Sequence, residues 1–241
     1  MLPNSAYRAQ FSSVLNNRER LAKLESLEIL DTPAEASFDR LTKLASRIIG
    51  APVSLISLVT HERQFFKSFV GLPEPWASQR QVDLDCSFCQ YVVATGKPLI
   101  IEDLSGNPLV ANNPLASQLN VAAYIGMPLK LPSQENLGSF CVIDSKPREW
   151  QPHEIEIMHE LGALAVTELE LRAELVNRKR IEAKLQLSYD KLHQQMQRAS
   201  RVTEFCRSTI DHLIVTTQRN APREETLKYL FTAQRELDRL S

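Results

Sequence analysis

The sequence predicts an α+β fold: an antiparallel sheet with helices packed on it, extended by a long C-terminal coiled-coil helix and a short terminal helix. Three observations carry that expectation. Two apolar stretches, over 53–70 and 122–144, alternate and double back across polar turns, the pattern of β-hairpins. Eleven of the 13 prolines precede residue 150, and between Pro152 and Pro222 only Gly162 interrupts a run free of both breakers. Along that run apolar residues recur at heptad spacing.

Taken in order, Leu21, Leu24, Leu27 and Ile29 sit at near-helical spacing within Arg18–Leu30. Thr32-Pro33-Ala34-Glu35 combines a capping box with proline at the first helical position, which predicts a second helix starting there. Its apolar face is Phe38, Leu41, Leu44, Ala45 and Ile48 or Ile49. In Val53–Thr60, Val53, Leu55, Ser57 and Val59 share one side, and Gln64–Val70 answers across Thr60-His61-Glu62-Arg63. Gly71–Val82 reads as a long loop. Asp85 is placed to cap a helix from Cys86 to about Thr95, ended by Gly96 and Pro98. Leu99–Ile101 is a short strand, Gly106–Asn113 a polar loop leading to a helical turn at Leu115–Leu119. Ala122–Leu131 and Leu137–Asp144 form the second hairpin.

Beyond His153, one heptad register collects Leu161, Leu175, Tyr189, Met196 and Ile210. The register three residues on collects Ile157, Leu164, Leu171, Leu185, Leu192, Ala199, Cys206 and Leu213. Glu168, Arg178, Glu182 and Thr203 interrupt the seam. A helix from Ile155 to Ile214 spans roughly 90 Å at about 1.5 Å per residue. No small domain covers that length, so a homodimer through the coiled coil is expected. Asn220-Ala221-Pro222 breaks the helix, and Glu224–Leu240 is a last amphipathic one.

Composition narrows the function. Lys+Arg 28 against Asp+Glu 29 leaves a net charge of -1, without the basic surplus that phosphate neutralisation requires, so no nucleic-acid partner is expected. No stretch reaches the roughly 18–20 apolar residues of a membrane span, and Met1–Arg20 lacks the apolar centre of a secretory signal. The expectation is a cytoplasmic protein that does not enter a membrane. The five histidines show no metal-ligand spacing. Seven scattered glycines make no phosphate-cradling loop, so nucleotide turnover is not expected.

Several separated pieces resemble the GAF domains of bacterial two-component sensors and cyclic-dinucleotide synthases. They are Leu27-Glu28-Ile29-Leu30-Asp31-Thr32-Pro33, Phe38-Asp39-Arg40-Leu41, Val53–Val59, Gln64-Phe65-Phe66-Lys67-Ser68 and Ser87-Phe88-Cys89-Gln90-Tyr91-Val92. Tyr124–Leu129 and Leu137–Asp144 complete the order. The likeness covers about Arg18 to Arg172. It implies a GAF/PAS-like sheet with a ligand cavity on one face, and a signalling role that is not enzymatic. It divides the chain into an N-terminal tail (1–17), a GAF domain (18–165), a coiled-coil dimerisation helix (166–215) and a terminal amphipathic helix (216–241). A downstream kinase, cyclase or phosphatase is the implied output partner, since His159-Glu160-Leu161-Gly162 fails to continue as a phospho-accepting helix and no Gly-Gly-Asp-Glu-Phe run occurs. Neither cysteine near residue 88 has the neighbouring histidine of bilin-binding relatives, and no cyclic-nucleotide signature assembles.

By position in that resemblance, Phe88, Tyr91, Val92, Asp103, Asn113, Tyr124 and Ser139 are the candidates to line the cavity, although Asp103 can equally cap the next turn. Cys86 and Cys89, three apart, form a candidate redox pair if Cys86 lies at a helix N-terminus; against this, Asp85 beside it opposes thiolate formation, and the family pattern places a packed cysteine at 89. Cys86 is then expected to alkylate at an ordinary rate and Cys89 hardly at all. Cys141 and Cys206 read as small buried hydrophobes. Two rivals stand beside a ligand- or partner-binding sensor: a thiol-based sensor or reductase using Cys86 and Cys89, and an adaptor with a collapsed cavity that recruits an output protein through its C-terminal helices. Neither ligand nor cofactor is named by the sequence.

Overall fold

A computed structural model describes residues 11–107, 113–220 and 222–240. The elements are α1 (Arg18–Ser26), α2 (Ala36–Ile49), β1 (Val53–Val59), β2 (Arg63–Val70), α3 (Trp76–Gln79), β3 (Gln81–Asp83), α4 (Cys89–Thr95), β4 (Leu99–Ile101), α5 (Pro114–Gln118), β5 (Ala123–Lys130), β6 (Asn136–Asp144), α6 (Pro152–Gln218) and α7 (Arg223–Leu240), with 3-10 turns at Leu84–Cys86 and Leu104–Gly106. The six strands make one antiparallel sheet in the order β3-β2-β1-β6-β5-β4. The predicted α+β class, both hairpins, the long helix and the short terminal one are all present. No helix among the described residues is long and apolar enough to cross a membrane.

The central strands are buried on both faces, so alternation sorts their residues between two cores. On one face Ile56, Leu58, Phe65, Ile125, Met127, Phe140 and Val142 pack against α1, α2 and the first turns of α6, with Phe38, Ala45, Met158, Leu161, Ala165 and Leu169 buried there. On the other, Leu55, Val59, Phe66, Tyr124, Cys141 and Ile143 pack under α4, α5 and the connecting segments. Residues 11–15, expected to be tail, are helical, and Leu15 is buried in this second core.

Local expectations fail in instructive places. Thr32 does not cap α2, which starts at Ala36 with no side-chain cap. Instead Thr32 Oγ1 and Glu35 are drawn to Lys67, whose ammonium donates to Thr32 Oγ1 (2.7 Å), Pro33 O (2.9 Å) and the Glu35 carboxylate, and lies 5.7 Å from the Phe38 ring centroid. A buried ammonium needs a carboxylate far more than a helix end needs a hydroxyl. The cause is a β-bulge: Ile56 pairs with Ser68 and Ser57 with Phe66, leaving Lys67 as the extra residue. Arg80 Nη2 takes up its carbonyl at 2.7 Å. Glu35 also receives Arg172 of α6, which donates to Leu27 O (3.0 Å) and Glu28 O (2.7 Å) as well.

Gly71–Val82, expected to be loop, contains α3 and most of β3. Two strand residues beside Pro73 and Pro75 are too few to show a period. Of the loop expected over Gly106–Asn113, residues 108–112 lie outside the described ones. Leu161, placed on the heptad seam, is taken by the domain core at 4% exposure. Cys206, read as buried, is exposed on the single chain, whereas its neighbour Phe205 is half-buried.

The chain divides after Asn177. The second unit, from Arg178 onward, comprises the remainder of α6 and α7. Within it the ring of His212 stacks on Tyr229 at 3.7 Å.

Candidate functional site

The second core encloses a small chamber. Leu55 of β1, Gln64 and Phe66 of β2, Tyr124 of β5, and Cys141 and Ile143 of β6 supply the sheet wall; Phe88, Cys89, Leu115, Leu119 and Val121 supply the cover. The alternation of each strand puts these side chains on one face. The centre of a water molecule can range over about 10 Å³ inside, room for about one water. Tyr124, a large and fully buried side chain, lines it. Its ring stacks on Phe88 with centroids 5.6 Å apart and folds back over Gly126, where a Cβ would come within 2.3 Å of the hydroxyl. Glycine two residues along the same face is what lets a tyrosine lie flat on the sheet.

The candidate residues separate into three groups. Phe88 and Tyr124 line the chamber. Val92 and Ser139 are buried around it, and Ser139 Oγ is left without a hydrogen-bond partner. Tyr91, Asp103 and Asn113 face elsewhere. Tyr91 is half-buried, edge-on to Phe11 at 5.7 Å. Asp103 is exposed and caps the 3-10 turn after it, accepting from Ser105 N at 2.9 Å and Ser105 Oγ at 2.7 Å; those hydrogen bonds hold its carboxyl below the usual range. Asn113 caps α5 by accepting from Leu115 N at 2.8 Å and donates to Cys86 O at 3.0 Å.

The helix expected to begin at Cys86 begins at Cys89. Cys86 belongs to the preceding 3-10 turn, and Asp85 does not cap α4; Ser87 Oγ accepts from Gln90 N at 3.0 Å instead. A 3-10 turn brings Cys86 no aligned helix dipole. Burial, with Asp83 and Asp85 adding to it, pushes its thiol up. Cys86 does not line the chamber.

Cys89 does, in polar company. Gln64 Nε2 lies 3.3 Å from its sulfur and the Tyr124 hydroxyl 3.5 Å. Cys141 lines the same chamber. Cys141 first, and then the Tyr124 hydroxyl, hold Cys89 below the ordinary thiol range against burial. Cys141 is pushed well up, by Cys89 first and then by burial. Tyr124 is likewise raised, first by burial and then by both sulfurs, so it stays a hydroxyl. Gln64 Nε2 also donates to Ser57 Oγ at 2.8 Å, while Gln64 Oε1 has no partner.

Gln64, Ser57 and Cys141 were not among the residues expected at this site. A signal existed for two of them: Ser57 sits among apolar residues on the inward side of β1, and Cys141 is two residues from Ser139 on β6. Among the described residues no three His, Cys, Asp or Glu side chains gather as a metal site.

The family profile of the GAF domain matches residues 33–169, over half of the chain. A cyclic di-GMP phosphodiesterase of Pseudomonas aeruginosa is 31% identical over 134 residues, which are 55% of this chain and 22% of that protein. The chain thus spans about a fifth of the length of this curated relative. The GAF domain of PixJ from Thermosynechococcus elongatus, in its blue-light-absorbing form, superposes with a TM-score of 0.49 at 18% identity, over 69% of this chain and 96% of that one. A domain of a two-component sensor histidine kinase protein from Sinorhizobium meliloti 1021 gives 0.48 at 17% identity, over 58% and 94%.

Proposed function

Because this chain belongs to the GAF domain family, we propose that it is a non-enzymatic input module: a small ligand or partner acts at the chamber side, and the change passes to an output protein through α6, paired with α6 of a second copy. On this reading the domain is 18–165, the dimerisation helix 166–215, and the last segment 216–241. The observation that carries it is the two-sided character of α6. Met158, Leu161, Ala165 and Leu169 are buried in the domain, whereas Leu164, Leu171 and Leu175 are 52%, 55% and 59% exposed, and Leu185, Leu192 and Met196 continue the apolar spacing at 56–69%. Leucines at heptad spacing left in water are stabilised by a second helix carrying the same stripe.

The name of the Pseudomonas relative favours cyclic-dinucleotide turnover as one output class. The small size of the chamber favours a second reading, an adaptor that takes no organic ligand. Native mass spectrometry of the purified protein separates the two, since an organic molecule retained at one per chain supports the ligand and its absence the adaptor. Pairing is tested by sedimentation equilibrium: the wild-type chain is expected to be a dimer at micromolar concentration. Leu185→Glu with Leu192→Glu is expected to weaken that dimer by a hundredfold or more, about 3 kcal/mol, with the far-ultraviolet signature of the domain retained. A monomeric wild type would refute the reading.

A further inference from the structure

The chamber holds more chemistry than packing requires. Cys89 and Cys141 both line it, Gln64 Nε2 donates to the Cys89 sulfur at 3.3 Å with the Tyr124 hydroxyl 3.5 Å away, and two buried polar atoms, Gln64 Oε1 on its wall and Ser139 Oγ beside it, have no partner. Unpaired polar atoms are rare in a sealed core and mark a place where a polar guest is accommodated. The space of about 10 Å³ limits that guest to one or two heavy atoms.

We propose that the chamber is a redox site in which a hydroperoxide of the smallest kind, hydrogen peroxide, oxidises Cys89, and Cys141 closes the product to a disulfide. The Cys89 sulfur attacks one peroxide oxygen. An S–O bond forms, the O–O bond breaks, and the departing hydroxide takes the thiol proton and leaves as water. Cys89 is then a sulfenic acid. The Cys141 sulfur attacks the Cys89 sulfur, the S–S bond forms and the S–O bond breaks, and the second hydroxide leaves as water with the proton of Cys141. One peroxide is reduced to two waters and two thiols are oxidised to one disulfide.

The surroundings suit both steps. The attacking sulfur must be the more acidic one and the resolving sulfur must keep its proton until needed, and the chamber holds Cys89 low and Cys141 high. The Gln64 amide and the Tyr124 hydroxyl stabilise negative charge on Cys89 as it forms. Cys86 takes no part, so the reactive pair joins α4 to β6 and lies 52 residues apart in the chain. The chemistry stands on the chamber alone; only its consequence for signalling rests on reading the chamber as the input side.

The test uses the full chain carrying Cys86→Ser and Cys206→Ser, which removes the two thiols outside the chamber. After hydrogen peroxide treatment, the intact mass is expected to fall by two hydrogens and to return on adding dithiothreitol, with a cross-linked peptide joining Cys89 to Cys141. Iodoacetamide, too large for the chamber, is expected to leave both thiols unmodified in the folded protein. A further Cys141→Ser exchange is expected to stop the reaction at Cys89 sulfenic acid, trapped by dimedone on unfolding. Unchanged thiols at a peroxide concentration that oxidises the unfolded chain would overturn the proposal. So would a Cys86–Cys89 disulfide in the wild-type chain. If the Cys89–Cys141 bond forms while the dimer's sedimentation is unaltered, the chemistry stands and the input reading falls.

Discussion

The two faces of the sheet are packed to different standards. Under α1, α2 and α6 the core is large and apolar, and its polar groups are mostly bonded: Thr42 Oγ1 to Ser68 Oγ at 2.8 Å, Ser68 Oγ to Asp39 at 2.6 Å, Lys67 to Glu35, with Ser54 Oγ and Arg80 Nε the exceptions. Under α4 and α5 the core holds two thiols, an unpartnered amide oxygen and a small void in one chamber. The difference teaches where each task lies. The sealed face fixes α6 to the sheet, and the chamber face keeps groups that packing alone would have replaced with methyls. The strands join the two, because Phe140 and Val142 belong to the sealed face and Cys141 between them to the chamber.

That contrast predicts unequal costs. The largest belongs to the sealed face: Phe140→Ala should lower unfolding free energy by about 3–5 kcal/mol, measured by urea denaturation. Glu35→Ala should cost about 2–3 kcal/mol at neutral pH by leaving the Lys67 ammonium without its carboxylate. Burial already lowers the Lys67 pKa below the unfolded value of 10.5, Glu35 opposing it. Between the folded and unfolded values the unfolded chain holds more protons, so stability rises with pH there. Without Glu35 the folded value drops further, and the variant's deficit in thermal midpoint should shrink as pH approaches 10.5.

On the chamber face Gly126→Ala should cost about 1–3 kcal/mol, because its methyl displaces the Tyr124 ring. Near-ultraviolet circular dichroism should change with it, and an unaltered spectrum would show that Tyr124 does not lie flat on the sheet. The smallest effect is expected at Ser139→Ala. A hydroxyl buried without a partner contributes nothing to lose, so the change in denaturation midpoint should be near zero or slightly stabilising. A loss comparable to that of Phe140→Ala would erase the distinction between the faces.

The sequence showed what periodicity and breakers encode: both hairpins, α2, α6 and the side of β1 on which Ser57 lies. It did not show what depends on distant partners. Thr32 and Glu35 form a sound capping box, but Lys67 claims both from a bulge about thirty residues away. Asp103 and Asn113 sit where cavity residues sit in the resemblance, yet short polar side chains beside a turn satisfy the nearest backbone amides first. Cys86 and Cys89 looked paired because they are close in the chain. Cys141 reaches the chamber that Cys89 lines only through the insertion of β6 between β1 and β5, which no local pattern reports.

The stripe of α6 that the core holds and the stripe left exposed are neighbours, not opposites. Leu164 follows Leu161 by three residues, about 60° around the helix at 3.6 residues per turn, and Leu171 and Leu175 stay near that bearing. Turning α6 by one side-chain width would lift Met158, Leu161, Ala165 and Leu169 from the sheet while carrying the exposed leucines around by the same angle. The angular phase of the helix and the packing state of the domain are therefore a single variable. Any event that repacks the domain beneath α6 resets the direction in which its leucines point.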